Sequence, residues 1–113
     1  MILNISDRLL LLELLEFVPF RGNVIQLRAK RDLIQLIGID EKEAEKIELK
    51  INGNDITWDN DKAESRDFDI GMQGYDVVKR ILQTLNNAED LASEHLDLWE
   101  RFMEADDGVD DVS

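Results

Sequence analysis

Few side chains in this sequence are of the types that do chemistry. There is no cysteine, so disulfides, thiolate zinc sites and cysteine nucleophiles are excluded, and His95 is the only histidine. A histidine that acts as a base needs an orienting partner within a pocket. Glu94 is adjacent, but neighbouring helical residues point about 100° apart. We therefore interpret His95 as a structural residue and the chain as a protein that is not an enzyme.

Two short motifs resemble ligand-binding loops, but the residues around each motif do not match those that the loop requires. Asp59–Asp61 opens like a calcium loop, which needs glycine at its sixth position and glutamate at its twelfth. Those positions hold Glu64 and Ile70. The segment Gly71–Gly74 has the glycine spacing of a KH loop, but it follows a predicted strand and carries no basic side chain. The sequence predicts a polar loop and a turn before a helix, and no metal or other cofactor.

The charges are distributed unevenly along the chain. The net charge is −13; residues 1–39 carry five basic and four acidic side chains, and residues 40–113 carry eight basic and twenty-two acidic ones. The first segment is therefore +1 and the second −14. Because such a field repels phosphate and attracts basic surfaces, a protein partner is favoured and nucleic acid is disfavoured.

Two sets of residues are the candidate binding sites. The first is a protein-binding surface of acidic residues next to a tryptophan, a residue type that is frequent at interface hot spots. It comprises Trp58, Asp59, Asp61, Glu94, Asp97 and Glu104. The second is a basic patch of Arg21, Arg28 and Arg31. For this patch, ion pairs with the acidic half or a solvated face are favoured over a nucleic-acid site.

The N-terminal part of the chain predicts two helices. Ser6 is the expected N-cap of the first, which spans Arg8–Phe17 and ends before Pro19. Its leucines cover nearly the whole circumference, so it is either a buried central helix or one shared with a partner. Asn23 and Gln26 have the spacing of a capping box, which predicts a second helix from Val24 to Ile37.

The rest of the chain predicts a small sheet followed by two helices. After a short helical turn between Asp40 and Lys46, alternating residues predict a strand over 47–51 and a return strand at Ile56–Trp58. An Asn-Gly turn joins these strands. Residues 66–70 alternate again, so the meander has two or three strands. Helical spacing then predicts helices over 75–86 and 93–104, the second with Leu98 and Phe102 in the core.

These elements predict one mostly helical α+β domain over residues 1–104 and a disordered acidic tail over residues 105–113. The longest apolar stretch lies between Leu9 and Leu15, and Glu13 interrupts it. A membrane helix needs about 20 apolar residues, so no membrane association is expected and the predicted location is the cytoplasm.

Short strings in a fixed order carry a family resemblance. They are Leu3–Arg8, Arg21–Asn23, Arg31–Leu33, Ile56–Trp58, Asp69–Gly71 and Glu94–Phe102. Over residues 1–104 the chain resembles a group of small uncharacterised proteins encoded by phages and prophages, mostly of low-GC Gram-positive bacteria. The resemblance implies a viral gene product that acts inside a bacterial cell, and it transfers no catalytic residue.

Three functional hypotheses remain at this point. The first is a non-enzymatic protein-binding module that modulates a host or phage protein through its acidic half. The second is a nucleic-acid-associated replication or packaging accessory that uses the three arginines. The third is a structural or assembly factor that forms a homo-oligomer through the leucine-rich first helix.

Overall fold

In the computed structural model, which describes residues 1–104, three helices precede three very short strands, and further helices follow. The elements are β1 (Ile2–Leu3), α1 (Ile5–Phe17), α2 (Val24–Ile37), α3 (Glu41–Lys46), β2 (Lys50–Asn52), β3 (Asp55–Thr57), β4 (Arg66–Asp67), α4 (Gly71–Asn87) and α5 (Leu96–Trp99). Helices make up 60% of the described chain and the strands form two antiparallel pairs. The predicted mostly helical α+β class is therefore confirmed. The tail predicted at 105–113 lies outside the described residues.

Side-chain caps define where the first three helices begin. The prediction for α2 is confirmed at both ends, and Asn23 and Gln26 form its capping box. The predicted start of α1 was wrong by about one turn. Asn4 is the N-cap and forms a capping box with Asp7, and Ser6 lies inside the helix. The reciprocal bonds between Asn4 and Asp7 satisfy two backbone donors that Ser6 could not reach together.

The strands form one hairpin and one separate antiparallel pair. Strands β2 and β3 pair as a hairpin around Gly53, whose φ of +64° suits glycine. Strand β4 pairs instead with β1, so that Ile2 faces Asp67 and Leu3 faces Arg66. The backbone of Met1 also binds Phe68, whose side chain is buried. The prediction left two or three strands open, and the two-stranded alternative is confirmed. The segment that precedes the buried Phe68 lies beside the N-terminal strand instead.

One core lies between α1, α2, α4 and the C-terminal helical residues. Its buried members include Leu11, Leu15, Leu33, Ile37, Val78, Ile81, Leu82, Leu98 and Phe102. Helix α4 begins at Gly71, four residues before the predicted start at 75. Gly71 has a φ of +75°, which lets the chain turn directly from the buried Ile70 into the helix.

The C-terminal helical segment, residues 93–104, changes its pitch along its length. It begins as a 3₁₀ turn at Ser93–His95, continues as α5 and widens to a π-helical turn at Glu100–Glu104. Leu98 and Phe102 are buried as predicted, and the Phe102 ring lies 5.1 Å from that of Tyr75. This segment closes the core beside α4.

Candidate binding surfaces

The predicted acidic residues lie on two parts of the chain. Trp58 is half-buried. The loop around it is held by hydrogen bonds among its own polar groups and by one hydrogen bond to the residue that follows α3. The indole N–H donates to Asn60 Oδ1 at 2.8 Å, and the Asp61 N–H donates to Asp59 Oδ1 at 2.9 Å. The Asp59 N–H donates to the Ile47 carbonyl at 2.7 Å. This part is an ordered polar loop beside α3.

The other acidic residues lie on the C-terminal helical segment. Glu94, Asp97 and Glu104 are all exposed, and Asp97 forms an ion pair of 3.5 Å with Arg101. Within residues 1–104, no hydrogen bond or ion pair joins this segment to the loop at Trp58. The six residues therefore occupy two local environments, and their use as one binding surface stays a prediction.

His95 caps the start of the same segment. Its Nδ1 accepts the N–H of Ala92 at 2.9 Å, and the ring is half-buried. Over the described part of the chain, no group of three or more His, Cys, Asp or Glu side chains could hold a metal ion.

The predicted basic patch lies on the outer face of α2 and the turn before it. Arg21, Arg28 and Arg31 are exposed, and Arg31 pairs with its neighbour Asp32 at 3.2 Å. In the part of the chain that the structure describes, Arg21 and Arg28 form no ion pair. Of the two favoured alternatives for this patch, ion pairs with the acidic half are therefore not observed for Arg21 and Arg28, and the role of the patch stays a prediction. Exposed apolar side chains lie on the same helix, namely Val24, Ile25 and Leu27 between Arg21 and Arg28, and Leu36 beyond Arg31.

An apolar groove of about 640 Å³ runs between α2 and the start of α4, and we call it the α2 groove. Its lining on α2 includes Ile25, Ala29, Leu33 and Leu36, and its lining before and within α4 includes Ile70, Gly71, Met72 and Gly74. Met72 is 86% exposed at the edge. A Cβ on Gly74 would lie only 2.8 Å from Ile70 Cγ2, so glycine leaves room here for the buried side chain of Ile70. Arg28, Asp32, Asp69 and Gln73 complete the lining.

A second concavity of about 620 Å³ lies between the end of α2, α3 and the loop before β4, and we call it the lysine cleft. Its charged lining consists of Lys42, Lys46, Lys62, Arg66, Asp40, Glu43 and Glu64, over apolar residues that include Ile34, Leu36, Ile39 and Ile47. Residues 40–113 contain eight basic side chains, and four of them line this one cleft. The acidic half of the chain therefore contains a basic concavity.

Arg8 lies behind the lysine cleft, and its side chain is fully buried. It donates to the Ile37 and Gly38 carbonyls at 2.9 and 2.8 Å, and to both carboxylate oxygens of Glu43 at 2.5 and 2.9 Å. The hydrogen bond from Arg8 is the main cause that holds the pKa of Glu43 below its ordinary value. The positive charges of Arg8 and Arg66 lower this pKa further, while burial and the charge of Asp40 raise it. The charge of Glu43 is thus largely neutralised by Arg8.

The sequence interpretation missed Arg8 and the two concavities. One signal for Arg8 was present, because Arg8, Leu11 and Leu15 have the spacing of one helix face. That pattern places an arginine on the buried side of α1. No comparable signal exists for the concavities, whose walls come from residues that are distant in the sequence.

Comparison with known proteins adds no functional assignment to this geometry. The chain matches no protein-family model, no curated protein and no solved structure. Among the helices of residues 1–104, none has the length and apolar composition that crossing a bilayer requires. Any functional conclusion therefore rests on the surfaces described above.

Proposed function

We propose that this chain is a non-enzymatic, protein-binding module of phage or prophage origin, which acts in the bacterial cytoplasm on a host or phage protein. The observation that carries the proposal is the α2 groove. It combines a concave shape with large exposed apolar side chains, and surface patches of this kind mark interaction sites in soluble proteins. The two acidic regions offer charge, but none of their six residues lines this groove.

The occupant of the α2 groove is an amphipathic helical segment of the partner protein. Such a helix places apolar side chains at i, i+3, i+4 and i+7 into a groove of matching polarity. Met72 suits this role because its unbranched thioether adapts to the shape of a partner side chain. The exposed Arg28 at the edge adds a charge that complements a carboxylate of the partner.

The remaining acidic surface has a supporting role in this proposal. Its charge keeps a small protein with exposed apolar groups soluble and repels nucleic acid. We do not favour the replication or packaging alternative, because the three arginines lie between apolar side chains and on a molecule of net charge −13.

The test is affinity capture from a lysate of a low-GC Gram-positive bacterium, followed by titration of the purified pair. The groove variant carries Ile25→Glu and Met72→Glu. The control is Ile51→Glu, because Ile51 is equally exposed but lies on the hairpin. We expect a protein that wild type and control retain and that the groove variant binds at least about tenfold more weakly.

Two results would contradict this proposal. One is equal retention of every captured protein by the wild type and the groove variant. The other is a partner that is lost on charge reversal at Asp97 and Glu104 but retained by the groove variant, since the acidic C-terminal segment would then be the binding surface. Circular dichroism of each variant controls for loss of folding.

A further inference from the structure

The α2 groove and the lysine cleft adjoin each other. Leu36 lines both of them, with Leu33 on the groove side and Ile34 on the cleft side. These three residues belong to the last turn and a half of α2. A segment that lies in the groove therefore needs only to pass Leu36 to reach the cleft.

Two of the cations in the lysine cleft are not engaged. Within residues 1–104, Lys42 and Lys46 form no ion pair, and they are i and i+4 neighbours on α3. Like charges at this spacing repel each other on a helix, so an anion between them would remove an unfavourable interaction. The lysines are thus available to a ligand.

The acidic side chains of the cleft are mostly occupied. The Asp40 carboxylate accepts the Glu43 N–H at 2.8 Å as the N-cap of α3. Glu43 binds Arg8, which is buried, and its Oε1 lies 3.7 Å from Arg66. Of the three acidic side chains, only that of Glu64 forms no hydrogen bond or ion pair within residues 1–104. The cleft therefore presents an excess of positive charge above an apolar floor.

We infer that the partner segment of the proposed function is acidic as well as amphipathic. Its apolar side chains occupy the α2 groove, and its carboxylates lie in the lysine cleft against Lys42 and Lys46. Arg28 receives a further carboxylate at the opposite side of the groove. This inference rests on the proposed function, and it adds the chemistry of the partner and a second contact site.

The shape and lining of the two concavities favour a polypeptide over nucleic acid. Single-stranded nucleic acid is held by aromatic side chains on which its bases stack. Neither lining includes an aromatic side chain within the described residues. The strongly negative molecule also repels a polyphosphate backbone, whereas a short acidic segment carries only a few charges to place beside the lysines.

The experiment is selection of a displayed random library of peptides of about 16 residues, long enough for four helical turns, on the immobilised full chain. We expect the enriched peptides to be acidic, with apolar residues at helical spacing. Their affinity should fall at least about fivefold in Lys46→Glu. It should change less than about twofold in Lys50→Glu, which alters the net charge equally but lies on β2 outside the cleft.

The outcomes separate this inference from the proposed function. Enriched peptides that are neutral or basic and are lost in the groove variant would overturn the acidic partner while keeping the protein-binding function. Acidic peptides that bind Lys46→Glu and Lys50→Glu equally would overturn the role of the cleft. If no peptide is enriched, the protein partner retained in the lysate capture is titrated with Lys46→Glu and Lys50→Glu. Equal affinities of the two variants for that partner would overturn the inference.

Discussion

The guanidinium of Arg8 connects three parts of the chain, because it binds the carbonyls that end α2 and the carboxylate of Glu43 on α3. It also lies 5.1 Å from the centroid of the Phe68 ring. All buried side-chain nitrogen and oxygen atoms of the described chain have hydrogen-bond partners. Removing Glu43 would therefore leave the buried charge of Arg8 without its ion-pair partner.

Glu43→Ala should lower the free energy of unfolding by about 3 kcal/mol at neutral pH, since it leaves the Arg8 charge buried. The matched control is Glu45→Ala on the same short helix, where an exposed glutamate should contribute less than about 0.5 kcal/mol. Urea denaturation followed by circular dichroism measures both. Equal effects of the two variants would show that the pair with Arg8 does not stabilise the fold.

The same pair gives a pH dependence with a defined sign. The folded state holds the pKa of Glu43 below its ordinary value of 4.5, so its contribution to stability is complete above that value. The contribution is lost as the pH falls from 4.5 through the lower folded pKa, because the unfolded state then binds more protons. The difference in stability between wild type and Glu43→Ala should therefore shrink in that window; a difference that grew toward acid would contradict this assignment.

At the scale of elements, the caps decide where the helices begin. Helix α2 could be predicted at both ends because Asn23 and Gln26 interact locally and Gly38 follows. Helix α1 has an equivalent local pair in Asn4 and Asp7, and interpreting Ser6 as the cap overlooked it. Helix α4 was predicted four residues short, because its first turn contains Gly71, which has a positive φ, and Gly74, which contacts Ile70.

Asn4→Ala should destabilise the protein by about 1 kcal/mol, because the Asn4 side chain accepts the Asp7 N–H at 2.8 Å. Ser6→Ala is the control, and it should change stability by less than about 0.5 kcal/mol because Ser6 is exposed inside the helix. Thermal unfolding of the two variants is the measurement. A larger loss in Ser6→Ala would restore Ser6 as the cap.

At the scale of the whole molecule, Arg101 joins the C-terminal helical segment to the N-terminal elements. Its side chain donates to Asp7 at 3.0 Å, to Asp97 at 3.5 Å and to the Ile2 carbonyl. Of these contacts, only the pair with Asp97, four residues earlier, has the local spacing of one helix face. The bonds to Asp7 and Ile2 span more than ninety positions, so they hold the segment against α1 and β1.

Arg101→Ala should therefore cost about 1–3 kcal/mol and increase amide hydrogen exchange over residues 93–104. Arg80→Ala is the control, because Arg80 forms only a local i,i+4 pair with Asp76 on α4, worth about 0.3–0.5 kcal/mol. Hydrogen–deuterium exchange with mass spectrometry measures the exchange over residues 93–104 in both variants. Unchanged exchange over the segment in Arg101→Ala would show that other contacts hold it in place.

The sequence by itself determined the features that depend on neighbours within a turn or two. These are the α+β class, the limits of α2, the short α3, the hairpin at Gly53 and the buried Leu98 and Phe102. Capping, turn formation and helical periodicity act over three to seven residues, so a single sequence contains them. The unequal distribution of charge also follows directly from the order of residues.

Only the tertiary structure decided which distant segments meet. It paired β4 with β1, placed Arg8 beside Glu43 and separated the acidic residues into two environments. It also collected four of the bases of the acidic half into the lysine cleft, beside a groove that exposes Ile25 and Met72. Packing of the core selects these contacts, and each joins residues with no local relation in the sequence.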